Sequence, residues 1–305
     1  MPSSKLEIRY STIFNPYVKK PFKVFCIGDI HLSSLTKKED IDNIIWSINI
    51  INPDYICIAG DLINSSIDLD NQYAFDSLNT LLKKISLLAP VFIVLGNHDF
   101  IIKDGNKYIE DTIHTRIWQS FRDIPNVYLL EDDVFEDSNI FIGGYRQKVD
   151  SYFGIENERC EKLYNDLVKH DNLVKKLPVK KPTIFLTHSP EFIVSDNIQK
   201  LLKSYNIILT GHYHNSCMPT NINKFFGSSN RGIITPNKRL FPKYARGVLK
   251  LDTGAYLFYS GGWTKLGSIK ALRSFDKFFN RQIDVITFDS NSKTNTYKQV
   301  KKFPN

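Results

Sequence analysis

Five short blocks of this 305-residue sequence carry side chains that can bind metal ions, and each block follows an apolar run. The blocks are Gly28-Asp29-Ile30-His31, Gly60-Asp61, Gly96-Asn97-His98-Asp99, Thr187-His188 and Gly211-His212-Tyr213-His214. In an open α/β sheet, ligands gather at the carboxyl ends of the strands. We therefore expect the five blocks to converge, with their glycines allowing sharp turns and a close approach of the main chain.

The blocks supply seven oxygen or nitrogen donors, namely Asp29, His31, Asp61, Asn97, His188, His212 and His214. Two divalent ions about 3.5 to 4 Å apart need that many donors if positions stay open for water and substrate. Asp61, which has no neighbouring histidine, is predicted to bridge the ions. Asp29, His31 and His214 would complete the first site, and Asn97, His188 and His212 the second. This donor set suits Mn²⁺, the ion we expect, or Fe or Zn²⁺, and excludes neither Co²⁺ nor Ni²⁺.

His98 and Asp99 are predicted to act on the substrate rather than on the metal ions. Because Asn97 already supplies the metal ligand of that block, the ring of His98 is free to face the substrate. Asp99 is expected to accept a hydrogen bond from this ring and so fix its tautomer.

The apolar runs before these blocks predict the strands that position them. They are Lys23 to Ile27, Tyr55 to Ala59, Val91 to Leu95, Thr183 to Leu186 and Ile207 to Thr210. Continuous hydrophobicity is typical of strands buried on both faces, and helical periodicity between the first three runs indicates a mostly parallel α/β sheet. After His214, two pairs of strand-like segments predict an antiparallel sheet stacked on the parallel one. The fold class is therefore α/β, with two β layers flanked by helices.

The ordered set Asp-x-His, Gly-Asp, Gly-Asn-His-Asp, His and Gly-His-x-His is similar to the signature of the calcineurin-like metallophosphoesterases. It spans residues 29 to 214. The resemblance implies an αββα sandwich of two mixed β-sheets and a dinuclear metal centre. It also implies hydrolysis of a phosphate ester by in-line attack of a metal-bridging hydroxide, without a phosphoenzyme. By matching motif, the metal ligands are those assigned above, and His98 resembles the residue that contacts the phosphoryl oxygen or the leaving group.

Details of the motifs favour one branch of this family. The block Gly60 to Asn64 differs from the Gly-Asp-x-Val-Asp-Arg-Gly block of the protein serine/threonine phosphatases. The segments Cys57 to Asn64, Val94 to Phe100 and Phe241 to Gly247 resemble the bacterial phosphodiesterase branch, which includes lipid-directed enzymes. The predicted function is hydrolysis of a phosphodiester, of a lipid or a nucleotide-lipid.

Two alternatives remain open. A nuclease or cyclic-nucleotide phosphodiesterase would use the same chemistry, although nuclease relatives usually carry an extra recognition region after the core, and the chain after His214 is short. A non-catalytic scaffold would typically have lost some ligand positions, and all of them are present here.

The composition predicts a single globular domain over residues 1–305. Hydrophobic residues make up 42% and charged residues 24% of the chain. The core motifs fall within residues 22–215, and residues 216–305 are expected to complete the second sheet and to form a basic C-terminal part. Residues 145–177, between the third and fourth motifs, are a candidate cap over the substrate.

The net charge of +8 is unevenly distributed. Residues 1–150 carry 15 Lys/Arg and 21 Asp/Glu, whereas residues 151–305 carry 25 and 11. Residues 220–281 alone hold 12 Lys/Arg against two acidic residues, with aromatic residues interleaved. This pattern, and a basic amphipathic stretch from Gly267 to Arg281, predicts peripheral contact with an anionic membrane. Packing of that stretch on the domain and nucleic-acid binding are the alternatives.

The sequence predicts a cytoplasmic protein that acts peripherally at the inner membrane face. Its apolar runs are shorter than the roughly 20 residues that cross a bilayer, and residues 1–24 lack the apolar core of a secretory signal. The four cysteines (Cys26, Cys57, Cys160 and Cys217) have no paired spacing and are expected to be reduced.

Overall fold

The computed structural model of the chain describes residues 5–64, 72–110, 121–178, 180–219, 229–235, 240–264 and 278–303. The strands are β1 (Leu6–Phe14), β2 (Phe22–Ile27), β3 (Tyr55–Ala59), β4 (Val91–Val94), β5 (Ile101–Asp104), β6 (Lys107–Glu110), β7 (Val127–Leu129), β8 (Asp133–Glu136), β9 (Phe141–Tyr145), β10 (Thr183–Thr187), β11 (Ile207–Thr210), β12 (Gly247–Lys250), β13 (Tyr256–Tyr259), β14 (Arg281–Asp289) and β15 (Asn295–Lys301). The helices are α1 (Lys38–Ile51), α2 (Gln72–Ile85), α3 (Asn97–Phe100), α4 (Val149–Tyr152), α5 (Glu156–Lys169), α6 (Asp171–Val174) and α7 (Asp196–Leu201).

The first sheet has the strand order β15-β1-β14-β2-β3-β4-β7. Strands β2, β3, β4 and β7 run parallel. On the other side of β2, β14 pairs antiparallel to β2 and parallel to β1, and β15 closes the edge antiparallel to β1. The sheet is therefore mixed, and the parallel strands β2, β3, β4 and β7 extend from its centre to one edge.

The second sheet has the order β12-β13-β11-β10-β9-β8. Its four central strands, β13, β11, β10 and β9, run parallel. The edge strands β12 and β8 each pair antiparallel to their neighbour. Strands β5 and β6 form a separate antiparallel hairpin.

Helix α1 shows how the sequence selects these elements. Ile41, Ile44, Ile48 and Ile51 recur at helical spacing and are all buried. Glu39 and Asp40 lie in the first turn, where the helix dipole favours negative charge. The helix ends at Asn52, which adopts the left-handed conformation that asparagine tolerates better than most residues.

Three apolar clusters define the layers of the molecule. The first packs α1 and α2 on the outer face of the first sheet. The second lies between the two sheets, with Val24 and Cys26 from β2 facing Ile184 and Leu186 from β10. The third packs α5, α6 and α7 on the outer face of the second sheet. This order of layers confirms the predicted αββα class.

The predicted sheet membership was partly wrong. The five motif-bearing strands divide between two sheets, β2, β3 and β4 in the first and β10 and β11 in the second. Of the described residues after 216, only β12 and β13 complete the second sheet, because β14 and β15 join the first sheet through β1.

Strand β1 was not predicted, because Leu6 and Ile8 alternate with charged residues. Arg9, which is buried, donates from Nε to Asp284 Oδ1 of β14 at 2.5 Å. A pair of buried charges is tolerated only when each partner satisfies the other. The ion pair thus fixes β1 beside β14, a pairing that hydrophobic periodicity could not reveal.

No helix within the described residues is long and apolar enough to cross a membrane. None of the four cysteines forms a disulfide within the described residues, and Cys26 and Cys57 lie in the core between the sheets. Residues 265–277 lie outside the described residues, and they include most of the predicted amphipathic stretch from Gly267 to Arg281.

Candidate metal centre

The loops that carry the five blocks meet where the two sheets face each other. The loops after β2 and β3 are joined by hydrogen bonds from Asp29 N to Gly60 O and from His31 N to Asp61 O, both 3.0 Å. The loop after β11 joins them, because His212 N donates to Asp29 Oδ1 at 2.9 Å. The expected convergence of strand ends thus occurs across two sheets rather than along one.

Four side chains form the first ligand cluster: Asp29, His31, Asp61 and His214. One ligand atom from each lies within 4.8 Å of the others, and all four side chains are buried. His31 Nε2 lies 3.3 Å from His214 Nε2 and 3.6 Å from Asp61 Oδ2. His214 Nε2 lies 3.6 Å from Asp29 Oδ1. The cluster thus presents carboxylate and imidazole donors to one point.

Three side chains form the second ligand cluster: Asp61, His188 and His212. His188 Nε2 lies 3.2 Å from Asp61 Oδ2 and 3.2 Å from His212 Nδ1. Asp61 belongs to both clusters, as a carboxylate that bridges two cations must. Six of the seven predicted ligands are therefore brought together in two groups with one shared member.

Backbone carbonyls orient two of the imidazoles. His188 Nδ1 donates to Ala59 O at 2.7 Å, and His214 Nδ1 donates to Thr264 O at 2.6 Å. Each bond turns Nε2 towards its cluster, where the nitrogen can bind a cation once it is unprotonated. Metal-binding histidines are held in this way in most proteins.

The electrostatics of the clusters favour the binding of cations. Burial alone would raise the pKa of the Asp61 carboxyl, but His188, His98 and His31 hold it well below its usual range. Burial lowers the pKa of His31 and of His212 well below the usual value. Asp61 is therefore an anion, and these two imidazoles are neutral donors.

His188 differs from the other two histidines. Burial opposes its protonation, but Asp61 outweighs this effect and raises the pKa of His188 to about 9. Without a cation, the proton on His188 compensates part of the negative charge of Asp61. A cation bound between them would take over that compensation.

Two buried oxygens fit the same interpretation. Among the described residues, neither Asp29 Oδ2 nor Asn97 Oδ1 has a hydrogen-bond partner. Buried polar atoms in native proteins are almost always satisfied, so such atoms need a partner of another kind. A divalent cation beside each oxygen would supply it. The donor set, with its shared carboxylate and two unsatisfied oxygens, therefore fits a pair of divalent ions.

The backbone of the ligand loops is strained. Asp29, His31, Asp61, His212 and His214 all have positive φ angles, between 46° and 66°. Non-glycine residues rarely adopt this conformation, and such residues tend to cluster at functional sites. Here the sharp turns after the strands are made largely by the ligand residues themselves.

The glycines before the ligands serve mainly for close approach. Only Gly60 has a positive φ among Gly28, Gly60, Gly96 and Gly211. A Cβ added at Gly96 would lie 2.2 Å from Asp61 Oδ1, and one at Gly60 would lie 2.6 Å from His188 Nδ1. The expectation of sharp turns at all four glycines was wrong, whereas the missing side chains do make room for Asp61 and His188.

His98 lies at the edge of the first ligand cluster and is partly exposed. Its backbone N–H donates to Asp61 Oδ1 at 2.9 Å, and its ring meets that of His31 edge to face, with centroids 4.8 Å apart. The His98 ring donates from Nδ1 to the carbonyl oxygen of Asn64. Its Nε2 is thereby left for a substrate.

The predicted hydrogen bond between Asp99 and the His98 ring does not form. Asp99 is buried, and its carboxylate accepts backbone N–H bonds from Leu62 and Gly96 at 2.8 Å and from Ile63 at 3.1 Å. Burial, reinforced by Asp61, raises the pKa of Asp99 to about 8. Asp99 thus ties together the loops after β3 and β4, and the carbonyl of Asn64 orients the His98 ring instead.

Tyr152 was not identified from the sequence. It ends α4 and packs on the second ligand cluster, with its ring centroid 5.7 Å from that of His212 and 6.3 Å from that of His188. Its hydroxyl is buried and has no hydrogen-bond partner among the described residues. The orienting carbonyls of Ala59, Asn64 and Thr264 were also missed, because every residue type carries a carbonyl.

The candidate cap, residues 145–177, divides into two parts. Its beginning borders the site through Tyr152, and the next residue, Phe153, stacks on Tyr108 of the β5–β6 hairpin with ring centroids 3.7 Å apart. Its longer part, α5 and α6, belongs to the outer helical layer, where Leu163 and Leu167 pack on the second sheet. Only the beginning of this segment lies against the metal ligands.

Comparison with known proteins finds relatives of low sequence identity. Two of them are uncharacterized metallophosphoesterases, one from Helicobacter pylori (strain ATCC 700392 / 26695), 26% identical over 208 residues, and one from Campylobacter jejuni, 24% identical over 209 residues. Each match covers 68% of this chain and 48% of the relative, so the chain spans about half the length of these proteins.

A likeness to a solved structure is also found. A purple acid phosphatase from yellow lupin (Lupinus luteus) superimposes with a TM-score of 0.46 and 14% sequence identity, covering 81% of this chain and 45% of the lupin chain.

The family itself follows from a match to a family model, which covers more than half of the chain. The family model described as calcineurin-like phosphoesterase matches residues 22–216, a range that contains all five blocks. Together with the buried clusters of histidine and aspartate, it indicates a dinuclear site for divalent metal ions. The match over residues 22–216 shows that the chain belongs to the calcineurin-like phosphoesterase family.

Proposed function

We propose that the protein is a metal-dependent phosphoric ester hydrolase. The observation that carries this proposal is the shared position of Asp61 in both ligand clusters. Asp29, His31 and His214 would hold the first ion with Asp61, and Asn97, His188 and His212 the second. Two cations held in this way supply the Lewis acidity that lets water act as a nucleophile near neutral pH and that neutralises the charge of a phosphoryl group.

His98 is the side chain proposed to contact the reacting group. Because its Nδ1 donates to Asn64 O, the ring can offer Nε2 to the substrate. As an imidazolium, it would donate a proton from Nε2 to a phosphoryl oxygen or to the leaving oxygen. General acid catalysis of this kind contributes roughly 10² to 10⁴-fold to the rate. Asp99 has a supporting role, because it holds the loop that carries His98.

The proposed substrate is a phosphodiester, of a lipid or a nucleotide-lipid, and the proposed metal is Mn²⁺. The support for a diester is the resemblance of Cys57 to Asn64 and Phe241 to Gly247 to the bacterial phosphodiesterase branch. The support for a lipid is the excess of 12 Lys/Arg over two acidic residues in 220–281, which suits contact with an anionic membrane. Residues 220–228, 236–239 and 265–277 of that range lie outside the described residues.

The test is hydrolysis of bis-p-nitrophenyl phosphate and of p-nitrophenyl phosphate by protein that has been stripped of metal and then given Mn²⁺. The variant Asp61→Asn removes the shared ligand, and Asp42→Asn, an exposed position on α1, is the matched control. We expect turnover of the diester that exceeds turnover of the monoester, is abolished in Asp61→Asn and is retained in Asp42→Asn.

Two results would contradict the proposal. Turnover that survives in Asp61→Asn would place the activity elsewhere or in a contaminant. A folded protein that binds two ions but hydrolyses neither ester would favour the non-catalytic scaffold. Faster hydrolysis of the monoester would leave the hydrolase standing and remove only the preference for diesters.

A further inference from the structure

Leu240 and Phe241 are adjacent apolar residues that are both strongly exposed. Their side chains are 68% and 62% exposed. They lie on the basic arm, which we define as residues 229–235 and 240–250. Single exposed apolar residues are common on protein surfaces, but two large adjacent ones on a structured segment call for a partner.

The backbone of the basic arm holds these side chains outward. Phe241 has a φ of 51°, a conformation that is unfavourable for a bulky residue. Its N–H donates to Ile233 O at 2.8 Å, and Gly232 N donates to Pro242 O at 3.0 Å. The two strands of the arm are therefore paired around a strained, exposed phenylalanine. Strain that the surrounding structure maintains is typical of functional positions.

The basic arm has the charge of a surface that meets anions. Residues 229–235 and 240–250 contain four Lys/Arg and no Asp or Glu. Arg231, Lys243 and Lys250 are exposed. Apolar side chains at the centre of a basic surface match the two components of an anionic bilayer, whose acyl region takes the apolar groups and whose headgroups attract the cations.

An apolar cavity of about 400 Å³ lies beside the arm. Leu240, Pro242 and Tyr244 form one wall, and Phe192 and Tyr213 form the other. This volume is within the range of small-molecule sites, which are mostly apolar with few polar groups. The cavity lies near the second ligand cluster, because the ring centroid of Tyr213, which lines it, is 5.9 Å from that of His212.

The arm is also tied to the loop that carries His214. Ile234 N donates to Ser216 O at 3.4 Å, and Ser216 Oγ donates to Ala245 O at 3.3 Å. Ser216 lies two residues after His214. These hydrogen bonds therefore fix the position of Leu240 and Phe241 relative to the proposed metal ligands.

From these observations we infer that the basic arm docks on an anionic lipid bilayer, with Leu240 and Phe241 entering the acyl region and the neighbouring cavity taking part of a lipid chain. The purpose of this docking would be to bring a lipid phosphodiester to the metal centre, and that part of the inference rests on the proposed function. The docking itself does not require hydrolysis. The two ideas can therefore fail separately.

The test is flotation of the protein with vesicles of phosphatidylcholine and phosphatidylglycerol, compared with vesicles of phosphatidylcholine alone. We expect the parent to bind the anionic vesicles and the double variant Leu240→Ser/Phe241→Ser to bind at least about tenfold more weakly, because two apolar side chains are lost from the bilayer. Lys243→Glu/Lys250→Glu should also weaken binding, by roughly fivefold or more for each charge, and more at low than at high salt.

The matched control is Leu87→Ser. Leu87 is 85% exposed and follows α2 on the outer side of the first sheet, so its loss should leave vesicle binding unchanged. Hydrolysis of water-soluble bis-p-nitrophenyl phosphate should be the same in all these variants, since none of them changes a ligand or His98. Equal thermal unfolding temperatures would show that the variants are folded.

Three results would overturn the docking surface. The first is a parent that fails to float with anionic vesicles. The second is a double variant Leu240→Ser/Phe241→Ser that floats as well as the parent. The third is a parent that does not bind vesicles but binds single-stranded DNA through Lys243 and Lys250. Vesicle binding without any ester hydrolysis would instead overturn the proposed function and leave the docking surface intact.

Discussion

The two ligand clusters draw on the two sheets in opposite proportions. In the first, Asp29, His31 and Asp61 follow strands of the first sheet, and only His214 comes from the second. In the second, His188 and His212 follow strands of the second sheet, and only Asp61 comes from the first. Each cluster is thus completed by one residue from across the interface between the sheets.

This difference shows what Asp61 and the packing of the sheets must do. Either cluster alone could be built largely at the edge of one sheet. The two clusters together can form only while the two sheets keep their packing against each other. We therefore expect the inter-sheet core, which includes Cys26, Phe92 and Ile184, to affect metal binding as well as stability. Changes in Asp61, or in a residue that positions it, should affect both clusters, whereas a change in any other ligand should affect only its own cluster.

The largest effect is expected for Asp61→Asn. An amide in place of the shared carboxylate removes the negative charge that both cations need, so metal content should fall from two ions per chain to none that withstand dialysis. Elemental analysis after dialysis against Mn²⁺ and then metal-free buffer measures this, with Asp42→Asn as control. An Asp61→Asn protein that keeps one ion would show that one cluster is independent of the other.

His98→Ala is expected to have the next largest effect and to leave both clusters intact. The imidazole is predicted to contact the substrate, so kcat should fall by roughly 10² to 10⁴-fold while two ions remain bound. His170→Ala, which removes a histidine outside the clusters, should retain activity. Loss of metal in His98→Ala would mean that His98 belongs to the first ligand cluster after all.

Gly96→Ala tests the contact on which the shared ligand depends. The added Cβ would meet Asp61 Oδ1 at 2.2 Å, so Asp61 must move, and we expect Mn²⁺ affinity to fall by about tenfold or more at both sites. Gly28→Ala is the matched control, since its nearest neighbours are at 3.4 Å, an ordinary contact. Calorimetric titration with Mn²⁺ measures both variants. Equal affinities would show that Asp61 has room to shift.

The smallest effect is expected for Tyr152→Phe, which touches only the second ligand cluster. We propose that its buried hydroxyl, which lacks a partner among the described residues, donates to the substrate; loss of one such hydrogen bond costs about 0.5 to 1.5 kcal/mol, or roughly two- to twelvefold in kcat/KM. Tyr145→Phe removes another buried hydroxyl that lacks a partner among the described residues and should have no effect. If the two variants behave alike, the Tyr152 hydroxyl has no role at the site.

The sequence was most informative where chemistry and local pattern coincide. Asp29, His31, Asp61, His188, His212 and His214 could be grouped before the structure because strand ends in α/β folds converge. The partners of the strands could not be predicted, since alternation shows which face is buried but not which strand lies alongside. The placement of β14 depended on Arg9 and Asp284, two charges that periodicity assigns to the surface.

Orientation within the site was also beyond the sequence. Asp99 is adjacent to His98 in the chain, yet α3 turns its carboxylate towards the backbone of Leu62 and Gly96. The groups that orient His98 and His188 are carbonyl oxygens of Asn64 and Ala59, which no side-chain pattern can indicate. Adjacency in sequence is a poor guide to contact at the end of a strand, where consecutive side chains diverge.

The most direct test of the shared-ligand account is anomalous diffraction from crystals grown with Mn²⁺. The account predicts two peaks roughly 3.5 to 4 Å apart, the separation usual for two-metal sites. One peak should contact Asp29, His31 and His214, the other should contact His188 and His212, and Asp61 should contact both. A single peak, or two peaks of which only one touches Asp61, would contradict the account.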